Sequence, residues 1–99
     1  MLKLRINPLV TKDLKSIKDF IAEDNADKAL ETVRKIYRLF ENIQQFPYIG
    51  ADLSKRVSFK TDYKYVVWED YVVLYKVVKE AVEIYRVINR YQDITRVFG

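Results

Sequence analysis

The residues of this chain that are best suited to chemistry are arginines, lysines and tyrosines in its second half. Arginine and lysine can hold phosphate groups and stabilise developing negative charge, whereas tyrosine can stack on a base or transfer a proton. Cleavage of RNA by its own ribose 2′-hydroxyl needs only such groups. Our candidates for binding an anion or a target are Lys60, Lys64, Lys76, Arg86, Arg90 and Arg96.

Arg86 is the most specific of these candidates. It falls in the middle of a predicted strand, where apolar residues are expected, so it occupies either an open face or a paired, functional position. Arg90 follows four residues later on the same predicted strand face. Together the two arginines would make a small cationic ridge near a strand end.

The composition excludes several kinds of site. The chain has no cysteine and no histidine, which rules out disulfides, thiolate nucleophiles, zinc sites of the usual Cys/His kinds and catalytic triads that use imidazole. Its two glycines, Gly50 and Gly99, form no nucleotide-binding loop, and its carboxylates do not cluster as metal ligands. We therefore expect neither a cofactor nor a metal.

Charge indicates an anionic partner. The net charge is +4, and residues 53–68 hold four basic side chains against Asp62 alone. Such a segment suits nucleic acid or an acidic protein. The alternative is a solvated, lysine-rich strand edge that prevents aggregation.

Hydrophobic periodicity predicts two helices after a short first strand at residues 2–6. Apolar residues recur at helical spacing over residues 10–21, and again from about Ala26 until Pro47 stops the second helix. The candidate N-terminal caps are Thr11 for the first helix and Asn25 or Asp27 for the second.

After Gly50 the period changes to that of β-strands. Residues 63–68, 71–78 and 82–89 are rich in β-branched and aromatic side chains, with short joins that favour antiparallel hairpins. A further strand at residues 57–60 is an open alternative. The prediction is an α+β fold, β-α-α-β-β-β, with an N-terminal strand and a helical hairpin packed on an antiparallel sheet. The expected core residues between helices and sheet are Phe20, Ile36, Phe40, Leu74 and Ile84.

We expect one domain over residues 1–99, with the strand and hairpin in residues 1–50 and the sheet and tail in residues 51–99. The first residues contain no apolar run of signal-peptide length, and no stretch reaches the roughly 18 apolar residues that a membrane span needs. A cytoplasmic location without membrane contact follows as an expectation.

The predicted strand at residues 71–78 is apolar on both faces. Two helices can cover only one face of a small sheet, so a partner protein is expected on the other. The candidate contacts for that partner are Val72, Leu74 and Tyr75. Alternatively, the tail residues Ile94, Val97 and Phe98 fold back over this face.

Three segments together resemble the RelE/ParE superfamily of type II toxins, and its ParE branch most closely. Residues 7–21, which include Asn7-Pro8-Leu9-Val10, are similar to the family's opening helix. Phe46-Pro47-Tyr48-Ile49-Gly50, followed by Arg56, is similar to its link into the sheet. Residues 63–78 and 82–94 are similar to its closing strands. The resemblance covers nearly the whole chain and supports the fold class predicted above.

The resemblance implies a cytoplasmic, growth-inhibiting toxin that forms a hetero-oligomer with a cognate antitoxin and serves in plasmid stabilisation. Two activities compete within the superfamily. ParE-like members inhibit DNA gyrase and have no accepted catalytic residues, so they are not enzymes. RelE-like members are endoribonucleases that cut messenger RNA on the ribosome.

Two departures favour the ParE branch. Val72 stands where RelE-like enzymes carry arginine, and Asn89 stands where many members carry histidine. The opposite reading is an RNase that uses Arg56, Arg90 and Tyr91 for charge stabilisation and proton transfer. A third reading is a non-toxic binding module that captures an acidic helix with the same sheet.

Overall fold

The two helices form the hairpin that the periodicity predicts. The computed structural model, which describes residues 1–98, places α1 at Pro8–Ala22 and α2 at Ala26–Gln45. The cap predicted at Thr11 is wrong. Asn7 caps α1, and its Oδ1 accepts a backbone N–H two residues later at 2.9 Å. The helix begins a turn earlier than expected because Pro8 suits the first helical position, where no N–H is needed.

The second helix begins at one of its two candidate caps. The Oδ1 of Asn25 accepts the backbone N–H of Lys28 at 3.0 Å, while Asp27 lies inside the first turn of α2. A carboxylate in a first turn also interacts favourably with the helix dipole. At the other end, α2 stops two residues before Pro47, as predicted.

Five strands form one mixed sheet in the order β1-β5-β4-β3-β2. They are β1 (Lys3–Ile6), β2 (Ala51–Asp52), β3 (Lys64–Trp68), β4 (Tyr71–Val78) and β5 (Ala81–Asn89). The antiparallel meander β3-β4-β5 agrees with the prediction, whereas β1 pairs with β5 in parallel. Parallel neighbours need a long crossover, and here the helical hairpin with the following strands supplies it. The α+β class is confirmed.

Residues 57–60 do not form a strand. The partner of β3 is instead β2, and the chain continues from β2 into a short 3₁₀ helix at Leu53–Lys55. The backbone N–H of Leu53 donates to the carbonyl of Tyr63 at 3.0 Å, and the Leu53 side chain is fully buried. The anchored leucine fixes the route of this segment, which the β-rich composition of residues 57–60 did not reveal.

A β-bulge interrupts the pairing of β4 with β5. Leu74 lies opposite Arg86, but Tyr75 lies opposite Ile84, so Tyr85 is an extra residue in β5. An extra residue locally increases the twist and re-aims the side chains beside it. The bulge thus sets the direction of Arg86.

Hydrophobic side chains pack in two layers, one on each face of the sheet. The layer between helices and sheet contains Val10, Leu14, Ile36, Phe40, Ile43, Val73, Tyr75, Val82, Ile84 and Val87. The second layer contains Leu53, Val72, Leu74, Ile88 and Ile94. Of the predicted core residues, Ile36, Phe40 and Ile84 lie where expected. Leu74 is buried on the opposite face, because its neighbour Tyr75 takes the helix side of β4.

The prediction for Phe20 is wrong, since its side chain is 73% exposed. The inner stripe of α1 runs through Val10, Leu14, Ile17 and Ile21 at spacings of four and three residues. Adjacent helix residues point about 100° apart, so Phe20 lies at the edge of the stripe that Ile21 continues, and its side chain extends toward solvent.

The second face of the sheet is covered by the chain itself. Residues 94–98, which we call the closing segment, pack over it with Leu53. Phe98 stacks on Tyr85 with ring centroids 5.4 Å apart, and the Tyr85 hydroxyl donates to the carbonyl of Val97 at 3.1 Å. The expectation of an uncovered face is therefore corrected, and the alternative, coverage by Ile94, Val97 and Phe98, holds.

Two phenylalanines on the hairpin provide a matched test of these assignments. Phe40 on α2 is fully buried, whereas Phe20 on α1 is largely exposed. We predict that Phe40→Ala lowers the free energy of unfolding by about 3–5 kcal/mol, because it leaves a cavity in the core. Phe20→Ala should change it by about 0.5 kcal/mol or less. Urea unfolding followed by circular dichroism measures both, and equal losses would contradict the assigned inner face of the hairpin.

Candidate functional site

Arg86 is held in an ion pair that joins the sheet to α1. Its Nε donates to Asp13 Oδ2 and its Nη2 to Asp13 Oδ1, both at 2.8 Å. The backbone N–H of Val87 donates to the same Oδ2 at 2.9 Å. The side chains are only 22% and 12% exposed. The carboxylate thus accepts three hydrogen bonds, and the two-pronged contact with arginine fixes its orientation.

The position of Asp13 follows from where β1 ends. The backbone N–H of Asn7 donates to the Ile84 carbonyl at 2.9 Å, and the chain then leaves the sheet to begin α1. Val87 lies beyond this point on β5, and Asp13 receives its N–H. Without that carboxylate a buried polar group would lack a partner, which is costly.

The charge of Arg86 is consequently not available to an outside anion. Hydrogen bonding to Asp13 raises the pKa of Arg86 above its ordinary value, against the opposing effect of burial. Arg90 lies elsewhere: its Nη1 donates to the carbonyl of Glu69 at 3.3 Å, in the turn between β3 and β4. The cationic ridge expected from Arg86 and Arg90 does not form.

Sequence reasoning missed Asp13, although a signal was present. Asp13 lies three residues after Val10 and four before Ile17, so it belongs to the inward stripe of α1. A carboxylate on an inward stripe needs a partner. Arg86, identified as an arginine in an apolar strand, is that partner.

Two of the other cations contact aromatic rings. Lys64 Nζ bonds Asp52 Oδ1 at 2.7 Å and lies 5.7 Å from the ring centre of Tyr48. Lys76 Nζ lies 5.3 Å from the ring centre of Tyr63. A ring contact holds a cation without removing its charge, but Asp52 offsets the charge of Lys64, whose side chain is only 18% exposed. The remaining candidates, Lys60 and Arg96, are exposed.

Of the three residues considered for RNA cleavage, Arg90 and Tyr91 lie in contact, whereas Arg56 lies apart from them. The Arg56 guanidinium lies over the ring of Tyr65 at 5.4 Å, on β3. Arg90 lies over Tyr91 at 5.7 Å, beyond the end of β5. Tyr65 on β3 pairs with Leu74 on β4, which in turn pairs with Arg86 on β5. Arg90 follows Arg86 by four residues, which corresponds to about 13 Å along a strand. One phosphate cannot contact Arg56 and Arg90 from these positions.

The candidate antitoxin contacts Val72, Leu74 and Tyr75 are all buried within the chain. Val72 and Leu74 lie beneath the closing segment, so a partner would reach them only after displacing it. Tyr75 lies in the helix-side layer, where burial raises the pKa of its hydroxyl. A role in antitoxin binding stays a prediction, which requires this displacement for Val72 and Leu74 and opening of the helix-side layer for Tyr75.

A groove lies between the start of α2 and the turn that joins β3 to β4. Its volume is about 440 Å³, and its apolar walls include Phe20, Trp68 and Tyr71. Its charged lining is net acidic, since two lysines face four carboxylates: Lys28, Lys35, Asp24, Glu31, Glu69 and Asp70. Apolar walls with charged rims suit a protein segment. Phe20, which was expected in the core, instead contributes its apolar surface to this groove.

Within residues 1–98 we find no cluster of three or more acidic side chains that could hold a metal ion. None of the helices in that range is long and apolar enough to cross a membrane.

Comparison with known proteins gives a consistent result. The sequence model of a family described as "ParE toxin of type II toxin-antitoxin system, parDE" matches residues 4–94. Among solved structures, the chain is similar to one described as "Chromosomal ParDE TA system from P. aeruginosa", with a TM-score of 0.75 and 22% identity over 90% of this chain and 96% of that one. At that identity the structural similarity supports the fold alone. No curated protein gives a significant match.

The importance of the Asp13 carboxylate can be tested against a second aspartate on the same helix. Asp19 bonds Lys15 at 2.9 Å, but both side chains are largely exposed. We predict that Asp13→Asn lowers the free energy of unfolding by about 2 kcal/mol, because it removes a charged acceptor from a mostly buried arginine.

Asp19→Asn should leave the unfolding midpoint unchanged, since exposed pairs contribute little. Thermal unfolding separates the variants, because 1 kcal/mol corresponds to roughly 4–8 °C in a domain of this size. Equal midpoints for the two variants would show that the Asp13–Arg86 pair contributes no net stability.

Proposed function

Because the chain belongs to the ParE toxin family of type II toxin–antitoxin systems, we propose that it inhibits DNA gyrase in the cytoplasm and is neutralised by a cognate antitoxin. The observation that carries this proposal is the family match, which spans residues 4–94 of the 99. Under this proposal the chain is a binding inhibitor and not an enzyme.

The positions of the cationic residues support inhibition by binding over RNA cleavage. Metal-free RNA cleavage needs charge-stabilising and proton-transferring groups around one phosphate. Arg56 lies on Tyr65, whereas Arg90 and Tyr91 lie beyond the end of β5. Asn89, at a position where many relatives carry histidine, accepts the backbone N–H of Tyr91 at 2.8 Å and so shapes the turn.

The proposed antitoxin is a protein with acidic character. The net charge of +4 favours an acidic partner, and charge complementarity speeds association. The groove beside Phe20 and Trp68 offers apolar side chains without rearrangement of the closing segment, but its charged lining is net acidic, so the charge complementarity comes from basic residues elsewhere. We expect the complex to be a hetero-oligomer.

A second candidate function is cleavage of ribosome-bound messenger RNA. The observation in its favour is the exposed pair formed by Arg90 and Tyr91, whose side chains lie in contact. Such a pair could hold a phosphate and transfer a proton. A third candidate, a non-toxic binding module, predicts no effect on growth.

The experiment expresses the wild-type chain in a bacterium and follows two readouts: cuts in messenger RNA on ribosomes, and DNA breaks linked to gyrase. We predict DNA breaks and filamentous cells without messenger cuts. Arg90→Ala should not abolish the breaks, because binding is spread over many contacts.

Codon-positioned cuts that fall about 100-fold in Arg90→Ala would instead identify an RNase, since one charge-stabilising residue contributes on the order of 3 kcal/mol to such a reaction. Growth without arrest, from protein shown to be folded and abundant, would identify the binding module.

A further inference from the structure

The loop between α2 and β2 exposes three large apolar side chains in four consecutive residues. Phe46, Tyr48 and Ile49 are 54%, 73% and 55% exposed. Isolated exposed apolar residues are ordinary in proteins, but several adjacent ones mark a binding surface. We call residues 46–49 the apolar loop.

The apolar loop is held rigidly from inside the molecule. The N–H of Ile49 donates to the carbonyl of Phe46 at 3.1 Å, which closes a turn. Beneath it, the buried hydroxyl of Tyr75 donates to the carbonyl of Pro47 and accepts the N–H of Gly50, both at 2.9 Å. These bonds reach the loop from the middle strand of the sheet.

Glycine at position 50 is required for this attachment. A Cβ atom there would lie 2.5 Å from the Tyr75 hydroxyl oxygen and 2.9 Å from the Tyr65 carbonyl oxygen. Neither atom can move freely, because one is in the core and the other is in β3. The apolar loop is thus fixed before any partner arrives, which lowers the entropic cost of binding.

The apolar loop is distant from the groove beside Phe20. The groove lining reaches Lys35, in the middle of α2, and the loop begins at Phe46, 11 residues later or about 16 Å along a helix. A partner segment in the groove therefore leaves the apolar loop uncovered unless it extends along the second half of the helix.

Shape and area limit what the loop can bind. It is a convex turn, whereas a partner's helix or strand needs a groove or a sheet edge. Three partly exposed large side chains present roughly 300–400 Å², given 150–250 Å² for a large side chain. A stable dimer needs about 800 Å² from each partner, so two copies of this loop are insufficient. A folded protein with a concave apolar pocket, and further contacts elsewhere, fits.

We propose that the apolar loop is the element that this toxin inserts into its target, and that the target supplies a concave apolar pocket. This inference rests on the proposed function, in which the target is DNA gyrase. The rigid loop provides the anchor, and its Tyr48 ring is contacted by Lys64, which is itself paired with Asp52.

The test uses purified full-length chain and measures the concentration that half-inhibits DNA supercoiling by gyrase. Tyr48→Ser combined with Ile49→Ser should raise that concentration about tenfold or more, because central apolar anchors dominate interfaces. The matched control is Leu30→Ser, which removes an apolar side chain that is 46% exposed on α2 and lies outside both the apolar loop and the groove. It should change the value less than about twofold.

Thermal unfolding shows whether each variant is folded, and Tyr48→Ser alone serves the same test if the double variant unfolds. A folded loop variant that inhibits gyrase as well as wild type overturns the inference. The inference is also overturned if a loop variant inhibits gyrase normally but is no longer neutralised by its co-expressed antitoxin. The loop would then belong to the antitoxin interface. Wild-type protein without effect on gyrase overturns the proposed function itself.

Discussion

The carboxylate of Asp13 connects the helical hairpin to β5 just beyond the end of β1, where the chain leaves the sheet. A single side chain there accepts the Val87 N–H and holds Arg86 with two further bonds. The bulge at Tyr85 aims the arginine toward α1, and the end of β1 leaves room for the carboxylate. Helix position, strand length and bulge depend on one another, because each is needed to pair a mostly buried charge.

This constraint also shapes the surface. Arg86, a candidate anion-binding residue, is paired with Asp13 inside the fold. The closing segment covers the apolar second face of β4. In the described residues, the surfaces open to partners include the groove beside Phe20, the apolar loop and lysines that contact tyrosine rings.

Much of the fold was predictable from local sequence. Periodicity located both helices and the three long strands, since apolar spacing directly reflects which face is buried. The parallel placement of β1 was not predictable, because it depends on how distant strands meet. Phe20 and Ile21 illustrate a second limit: both are apolar neighbours, and only tertiary packing decides which one faces inward.

The candidate site was harder to predict than the fold. Arg86 was identified as unusual, but its partner Asp13 lies 73 positions away, and no local pattern joins them. Both faces of β4 were recognisable as apolar. The sequence did not decide whether a partner or residues 94–98 would cover the face opposite the helices. Contacts between distant segments, which decide both cases, leave little trace in composition or spacing.

β1 is made early on the ribosome, but it is aligned with residues 81–84, so it has no neighbour until nearly the whole described chain has been translated. The helical hairpin likewise lacks a sheet against which to bury its inner stripe during most of synthesis. Loop closure over such separations is slow compared with local helix formation. The complete sheet therefore cannot form before residues 81–84 have been synthesised, since β1 has no other strand beside it in the described chain.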